Sequence, residues 1–170
     1  MNKILIIGSG GAGKSTFARQ LSKILQIEVI HLDSLYWQAG WVEMPKPEWK
    51  RLLAELLMRD AWIMDGNYSG TLELRIEACD TIIFLDIAPL ICLWRIFKRW
   101  ARYRNQRRPD MAEGCLEKLS FEFIVWILNY RNRTRPKVIK VLQEKAVDKN
   151  VLWLRSTREV EKFLEGAKQA

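Results

Sequence analysis

The stretch KILIIGSGGAGKSTFARQL, residues 3–21, decides the fold of this chain. Residues 3–7 form a short apolar run that is rich in isoleucine and ends at a glycine, which is typical of a buried parallel strand. From Lys14 onward, apolar residues recur at helical spacing as far as about Leu25. The stretch therefore predicts a strand, a glycine-rich loop and a helix in direct succession.

The loop fits the Walker A pattern G-x-x-x-x-G-K-[ST], in which the lysine is Lys14 and the hydroxyl residue is Ser15. Glycines let backbone N–H groups point toward a phosphate, and the helix N-terminus adds a partial positive charge. In such a loop the lysine reaches the outer phosphates of ATP, and the Ser15 hydroxyl ligates Mg²⁺. The predicted nucleotide-binding residues are Gly8, Ser9, Gly10, Gly11, Ala12, Gly13, Lys14, Ser15 and Thr16.

The same residues also fit a competing pattern, G-x-G-x-x-G, through Gly8, Gly10 and Gly13. Asp33 lies twenty residues beyond the last of these glycines, as in the dinucleotide-binding fingerprint. That fingerprint does not require the lysine and serine that follow the glycines here, whereas a P-loop does. A chain of 170 residues also leaves little room for a separate domain that would accept hydride. The pattern thus favours a P-loop.

The rest of the chain alternates between strand and helix signals. Apolar runs predict further strands at 27–33, 61–65, 81–86 and 151–154. Periodicity and proline positions predict helices at about 14–25, 47–59, 90–104, 115–133, 136–147 and from 157 onward. We therefore predict an α/β fold of the P-loop NTPase class, with a five-stranded parallel sheet, helices on both faces and a short helical lid.

Length and composition fit a single domain over residues 1–170. Hydrophobic residues make up 49% of the chain and charged residues 28%, a globular balance that excludes wholesale disorder. Within the domain we interpret residues from about 34 to 60 as a substrate-binding insertion. We interpret residues from about 95 to 135 as an arginine-rich lid.

The cysteines and the hydropathy pattern bear on the compartment. The three cysteines, Cys79, Cys92 and Cys115, lack the paired spacing of a disulfide framework or a zinc site, which favours a reducing environment. The sequence contains no apolar run of about 18 residues that would span a bilayer. We expect a cytoplasmic protein, either a monomer or a homodimer, without a membrane partner.

The positive charge of the chain is concentrated in one segment. The whole chain carries a net charge of +8, and residues 95–140 contain thirteen lysines or arginines against four acids. Such a local positive field indicates an anionic partner, either the phosphates of a small ligand, nucleic acid or a membrane surface. A solvated basic face without a partner is the alternative.

Three aspartates end predicted strands, at the sheet edge where open α/β folds bind ligands. We interpret Asp65 as a residue that holds hydrated Mg²⁺ together with Ser15. Asp33 fits the binding of an acceptor hydroxyl or the role of general base. Asp86 fits a helix cap or a turn at least as well as a functional role. We interpret His31 as a structural histidine.

Arginines cluster on two predicted helices that a polar loop separates. Arg95, Arg99 and Arg102 form one stripe on the first helix, and Arg131 and Arg135 repeat the i, i+4 spacing on the second. The arrangement predicts a hinged lid whose guanidinium groups neutralise the transferring phosphates. Their mutual repulsion predicts an open or partly disordered lid in the absence of phosphates. Alternatives are a nucleic-acid patch and, for any single arginine, a solvated face.

Aromatic residues follow Asp33 closely. Tyr36, Trp37 and Trp41 could stack on a substrate ring, although a chain with eight tryptophans must also place several of them in its core. We predict substrate contacts for Tyr36 and Trp37, with core packing as the alternative.

These motifs, taken in order, resemble those of small nucleoside and nucleotide kinases of the adenylate-kinase type. The shared features are the P-loop, Asp33, the DGNY segment at 65–68, a D-x-x-P element and an R-x-x-x-R pair. The segments HLDSLYWQAGW, WIMDGNYSGTLELR, TIIFLD, RRPDM and GCLEK more closely resemble bacterial DNA topology modulation proteins of the FlaR type, from Lys3 to about Lys140.

This resemblance implies a nucleotide-kinase-like fold, ATP and Mg²⁺ as cofactors, and a small nucleotide- or nucleoside-like molecule as the phosphoryl acceptor. The topology label implies instead an ATP-binding protein that contacts DNA through residues 95–140. The segment between the second and third strands is unlike that of adenylate kinase, so the resemblance does not extend to adenylate as the acceptor.

The resemblance also implies roles for individual residues. Asp65 matches the aspartate that organises Mg²⁺ and its waters. The sequence departs from the family pattern at Asn67 and Tyr68, and the arginine that usually follows is missing. Arg75 is the residue that would replace it in substrate binding. The arginines that match the start and the return of the family's lid are Arg95, Arg99, Arg131 and Arg135.

Overall fold

The computed structural model describes residues 1–106 and 108–169, so Arg107 of the RRPDM segment and Ala170 lie outside the described residues. The strands are β1 (Lys3–Gly8), β2 (Val29–His31), β3 (Trp37–Gln38), β4 (Val42–Glu43), β5 (Trp62–Asp65), β6 (Thr81–Leu85) and β7 (Asn150–Leu154). The α-helices are α1 (Lys14–Leu25), α2 (Leu32–Tyr36), α3 (Lys46–Leu57), α4 (Leu72–Ala78), α5 (Pro89–Tyr103), α6 (Phe121–Asn129), α7 (Arg135–Lys145) and α8 (Thr157–Gln169).

Five strands form one parallel sheet in the order β2-β5-β1-β6-β7. The central strand β1 is flanked by β5 and β6, with Ile6 opposite Asp65 and Gly8 opposite Leu85. The remaining strands, β3 and β4, form a short antiparallel hairpin outside this sheet. The predicted five-stranded parallel α/β fold is confirmed.

Alternating side chains of β1 point into two separate cores. Leu5 and Ile7 belong to a core that buries apolar residues of α3, α4 and α7. Ile4 and Ile6 belong to a second core, with residues of α1, α5, α6 and α8. Burial on both faces explains why β1 is a continuous apolar run in the sequence rather than an alternating one. Helices therefore pack on both faces of the sheet.

The structure differs from the predicted elements at three places before the predicted lid. Strand β2 ends at His31, so Asp33 lies in the short helix α2 instead of ending a strand. The hairpin β3–β4 and the helix α4 were not predicted, because strands of two residues and a helix of seven are too short for a periodic signal.

The lid region is less helical than predicted. Residues 115–120 are not helical, and α6 begins only at Phe121, after the side chain of Ser120 accepts a hydrogen bond from the backbone N–H of Phe123. Pro136 does not interrupt the helical path, because it lies in the first turn of α7, where no backbone N–H is needed. A π-helical turn over Tyr130–Thr134 joins α6 to α7.

Two further expectations concern the membrane and the cysteines. Among residues 1–106 and 108–169, none of the helices is long and apolar enough to cross a membrane. The thiols of Cys79, Cys92 and Cys115 are free and buried.

The glycine-rich loop is packed tightly under helix α5 at Gly11. Gly11 has a φ of +76°, and a Cβ atom there would overlap the main-chain carbonyl group of Cys92. Gly40, in the β3–β4 hairpin, has the same φ, but a Cβ atom there would meet nothing within 4 Å. Substituting each glycine by alanine therefore distinguishes the free-energy cost of the backbone conformation from that of close packing.

We expect Gly11→Ala to lower the free energy of unfolding by about 1–3 kcal/mol more than Gly40→Ala. Both substitutions incur the left-handed penalty of about 1–2 kcal/mol, and only the first adds overpacking of about 1–3 kcal/mol. Urea denaturation of the two variants and the wild type measures the difference. Equal losses in the two variants would show that α5 does not constrain the loop.

Candidate active site

The main cavity, of about 1170 Å³, lies beside the loop that joins β1 to α1. Its walls include residues 10–16 of the glycine-rich loop, Asp33, Asp65 and the arginines of α5. Gly8 and Ser9, the first two predicted loop residues, are buried beneath it and do not line it. The structure thus brings together in one cleft the loop and both aspartates that the sequence predicted.

Lys14 is half-buried and directs its ammonium group onto its own loop. Its Nζ donates hydrogen bonds to the carbonyl oxygens of Gly8 and Ser9, each at 3.0 Å. Burial lowers the pKa of Lys14, and the charges of Asp65 and Asp33 oppose this effect. The contacts of Lys14 are local, so its ammonium group can be redirected toward an anion without breaking contacts elsewhere in the fold.

Asp65 ends β5 beside the loop and is almost fully buried, with 4% of its surface exposed. Its Oδ1 lies 2.7 Å from His31 Nδ1, at the end of the neighbouring strand β2. Burial lowers the pKa of His31, but the hydrogen bond and charge of Asp65, together with the charge of Asp110, raise it more. His31 therefore orients Asp65 in addition to its structural place on the strand.

Asp33 lines the cleft from the first turn of α2. It accepts a hydrogen bond of 2.7 Å from the hydroxyl of Tyr68, and burial together with the charge of Asp33 raises the pKa of that hydroxyl. Tyr68 therefore keeps its proton and holds one oxygen of Asp33 in place. The second carboxylate oxygen is left for another donor.

The aromatic residues after Asp33 divide between cleft and core. Trp37 and Trp41 line the cleft, with ring centroids 5.5 Å apart. Tyr36 does not line it, because its ring packs against Trp49 and Tyr68 and its hydroxyl donates to Glu43. Of the two aromatic residues predicted to contact substrate, the structure places Trp37 at the cleft and Tyr36 in the packing behind it.

Arg75, predicted to bind substrate, is completely buried. Its guanidinium group donates to the carbonyl oxygens of Gly66, Asn67, Tyr68 and Thr71. Burial lowers its pKa to about 10. Arg75 therefore holds the backbone of the segment that carries Tyr68, and it does not reach the cleft.

Arg95 and Arg99 both line the cleft from α5. Arg95 donates to the carbonyl oxygen of Ala12 at 2.8 Å and to the hydroxyl of Thr157 at 2.9 Å, so it ties the loop to the start of α8. Arg99 donates to Glu117 at 2.8 Å. Burial and the nearby charge of Arg108 lower the pKa of Arg99, and the charge of Glu117 opposes them.

Carboxylates neutralise two arginines of the predicted lid, Arg99 and Arg108. Glu117, 5% exposed, receives Arg99 at one oxygen, and Arg108 Nε lies 2.7 Å from the other as an ion pair. Arg108 also pairs with Asp110 at 2.9 Å. The expectation that unbalanced repulsion opens the lid is therefore wrong for Arg99, because acids of the same segment supply the countercharge.

The lid segment is hydrogen-bonded to the β3–β4 hairpin. The backbone N–H of Gly40 donates to the carbonyl of Gly114, and the indole of Trp41 donates to the carbonyl of Leu116. The Cys115 thiol donates to the carbonyl of Gln38 at 3.1 Å. These contacts join the hairpin within the predicted substrate-binding insertion to the segment that was predicted to form a lid.

Arg131 and Arg135, the predicted return arginines, do not line the cleft. They line a second, smaller pocket, where Arg135 pairs with both oxygens of Asp86 at 2.7–2.9 Å. The hydrogen bond to Asp86 raises the pKa of Arg135. The predicted clamp of four arginines is thus reduced to Arg95 and Arg99, and Asp86 serves as an ion-pair partner.

Several cleft residues were not singled out from the sequence. Phe123 and Trp126 of α6 stack with ring centroids 5.8 Å apart, and a Cβ on Gly10 would lie 2.6 Å from Phe123 Cζ. Further unpredicted residues of the cleft wall are Arg19, Arg108, Asp110 and Glu117. A sequence signal existed for Asp110 and Glu117, because the few acids within a strongly basic segment are expected to pair with its arginines.

No family model matches this sequence, and no curated protein matches it. Solved structures do match. The chain is similar to a deoxyadenosine kinase from M. mycoides with bound dCTP, at 14% identity over 98% of this chain and 99% of that chain, with a TM-score of 0.52.

The chain is also similar to a shikimate kinase from Acinetobacter baumannii in complex with shikimate, at 17% identity over 99% of this chain and 92% of that chain, with a TM-score of 0.59. These likenesses confirm a P-loop, nucleotide-kinase-like fold. They do not support the narrower resemblance to DNA topology modulation proteins.

Replacing Glu117 by glutamine should loosen the lid. The substitution keeps the shape of the side chain but leaves the charges of the buried Arg108 and the half-buried Arg99 without their shared partner. We expect this to lower the free energy of unfolding by about 3 kcal/mol. Amide hydrogen exchange in residues 108–120 should become faster. Glu122→Gln, which removes the same charge from an exposed site on α6, is the control. Equal exchange in both variants would contradict the pairing.

Proposed function

We propose that this protein is an ATP- and Mg²⁺-dependent kinase that transfers the γ-phosphoryl group to a small nucleoside- or nucleotide-like acceptor. The proposal rests chiefly on one observation: Lys14, Asp33 and Asp65 line a single cleft with the glycine-rich loop. The similarity in fold to a deoxyadenosine kinase and a shikimate kinase supports kinase activity in general.

The residues present fit ATP with Mg²⁺. Among the described residues no group of three or more His, Cys, Asp or Glu side chains could hold a metal alone. Mg²⁺ in phosphoryl-transfer sites is held by one or two protein ligands together with the phosphates themselves, and Ser15 and Asp65 both line the cleft. When bound, Mg²⁺ would neutralise charge on the phosphates.

Different residues of the chain would bind the phosphoryl donor and the acceptor. Lys14 would turn from its loop carbonyls to the outer phosphates. Asp33, held at one oxygen by Tyr68, would accept the proton of the acceptor hydroxyl or orient it. Trp37 and Trp41 line the cleft with their rings 5.5 Å apart, which favours an acceptor with a planar ring.

Arg95 and Arg99 complete the proposed site. A guanidinium group stabilises phosphoryl transfer by meeting charge as it redistributes in the transition state. Arg99 can exchange its bond to Glu117 for a phosphate oxygen, while Glu117 keeps its pairing with Arg108. We assign no catalytic role to Arg131, Arg135 or Arg75, since none of them lines the cleft.

The acceptor can be found by a screen for ADP release. Purified protein, ATP and Mg²⁺ are combined with nucleosides, nucleotides and small hydroxylated metabolites one at a time. We expect saturable turnover with one chemical class, and no effect of duplex DNA. Turnover that requires DNA and falls steeply with salt would contradict the proposal. It would favour the ATP-dependent, DNA-binding protein that the topology resemblance implies.

Lys14→Ala should lower kcat/KM by about 100-fold or more, because it removes a cation that contacts the transferring phosphates. The melting temperature should change little, since the hydrogen bonds that Nζ donates to described residues go to its own loop. Lys23→Ala, at the exposed end of α1, is the control for loss of one charge. Normal turnover in Lys14→Ala would exclude the loop from catalysis.

Asp65→Asn should reduce kcat more than it weakens ATP binding, because the lost charge positions Mg²⁺ in the transition state. Asp33→Asn should instead abolish transfer to the acceptor while slow ATP hydrolysis survives. Steady-state kinetics with direct measurement of ATP affinity separate the two effects. A raised KM with unchanged kcat in Asp65→Asn would assign that residue to ground-state binding.

A further inference from the structure

A second pocket of about 290 Å³ lies between the carboxyl ends of β6 and β7, the start of α5 and the π-helical turn. It shares no lining residue with the main cleft. Its charged side chains are Arg131, Arg135, Arg155 and Asp86. Because Asp86 is the sole acid in this wall, the pocket has an excess of two positive charges.

The arginines of this pocket are unequally neutralised. Arg135 is satisfied by its bidentate pair with Asp86. Arg131 and Arg155 are exposed and form no ion pair with any described residue, and Arg155 is held against the ring of Trp153 at 5.5 Å. Arg135 lies over the same ring at 5.8 Å, so Trp153 contacts two of the three guanidinium groups of this pocket.

Two further features of the wall favour an anion. Tyr130 is 4% exposed, and its hydroxyl is buried without a hydrogen-bond partner among the described residues. A buried hydroxyl without a partner costs free energy that an acceptor in the pocket would recover. Ala88 and Pro89 begin the 15-residue helix α5 at this wall, and no side chain caps its N-terminus. The helix dipole therefore adds positive potential.

We propose that this pocket is a second ligand site, which binds a small oxyanion of the phosphate class. Arg131 and Arg155 pair with the oxyanion, Arg135 and Asp86 form the fixed back wall, and Tyr130 donates its hydroxyl to it. The volume, at the lower limit of ligand pockets, suits a phosphate group rather than a whole nucleotide. The proposal does not depend on the kinase activity, because the two sites share no residue.

The direct test is a titration of the full chain with inorganic phosphate at constant ionic strength, followed by NMR. We expect saturable shifts in the backbone amides of residues 86–91 and 130–135 and in the side-chain N–H groups of the pocket arginines. Shifts at residues 8–16 report the main cleft and are fitted separately. Shifts confined to residues 8–16 would overturn the proposal.

Two variants with matched controls identify the residues. Arg131→Gln and Arg155→Gln should each weaken phosphate binding at the pocket about tenfold, because each removes a charge-assisted hydrogen bond. Arg133→Gln and Arg158→Gln remove the same charge from exposed positions that do not line the pocket. Equal weakening in the controls would mean that only the general positive field attracts phosphate, and the proposal would be wrong.

Tyr130→Phe provides a test that is independent of charge. Without phosphate, the melting temperature should not fall, since the lost hydroxyl has no partner among the described residues. Phosphate binding at residues 86–91 should weaken about threefold or more. Unchanged affinity would overturn the role of Tyr130 and, with unchanged affinity in Arg131→Gln, the site itself.

The phosphate group has two sources, free inorganic phosphate and a phosphorylated metabolite. A parallel titration with glycerol 3-phosphate distinguishes them. Tighter binding of the phosphomonoester would identify a metabolite site, and tighter binding of inorganic phosphate would identify a site for the free ion. Either result supports the oxyanion site, whereas binding of neither compound at residues 86–91 would contradict it.

Discussion

The parallel pairing of β1 with β5 and β6 is the constraint on which the rest of the site depends. Because all three strands run in the same direction, their carboxyl ends meet at one edge of the sheet. Register then places Asp65 opposite Ile6, two residues before the loop begins at Gly8. Strand β2 adds His31 opposite Asp65. The pairing of β1 with β5 therefore brings the glycine-rich loop and the carboxylate of Asp65 together.

Charge balance is the second organising feature of the molecule. The segment 95–140 is strongly basic in sequence, yet its buried arginines each have an acid close at hand. Glu117 serves Arg99 and Arg108 together, and Asp86 serves Arg135 from outside the segment. An isolated buried charge costs several kcal/mol, and Glu117 and Asp86 remove that cost for these arginines. The buried Arg75, outside the segment, is instead satisfied by four backbone carbonyl groups. Arg131 and Arg155, which form no ion pair with any described residue, are exposed, and the oxyanion site proposed above depends on them.

The sheet and the glycine-rich loop could be predicted from the sequence because their signals are local. Buried parallel strands are short apolar runs, and the loop pattern fixes a strand before it and a helix after it. The shortening of β2 at His31 and the helical position of Asp33 were not predictable, since a strand end depends on its neighbour in the sheet. Even so, Asp33 lines the cleft as expected.

The partners of the arginines could not be predicted, because they depend on residues distant in the chain. Arg135 pairs with an aspartate 49 residues away, and Arg75 is buried by a backbone segment whose path the sequence does not reveal. Helical spacing indicated that Arg131 and Arg135 lie together, and both line the second pocket rather than the cleft. Spacing describes which residues share a face of a helix, and tertiary packing decides what that face meets.

We propose that the cleft transfers a phosphoryl group to an acceptor rather than to water. The stoichiometry of transfer, followed by ³¹P NMR with wild-type protein, ATP, Mg²⁺ and the acceptor found by screening, tests it most directly. We expect one phosphorylated acceptor, either a phosphoester or a phosphoanhydride, for each ADP formed, with little inorganic phosphate. Formation of inorganic phosphate alone, at the same rate with and without every acceptor, would contradict it.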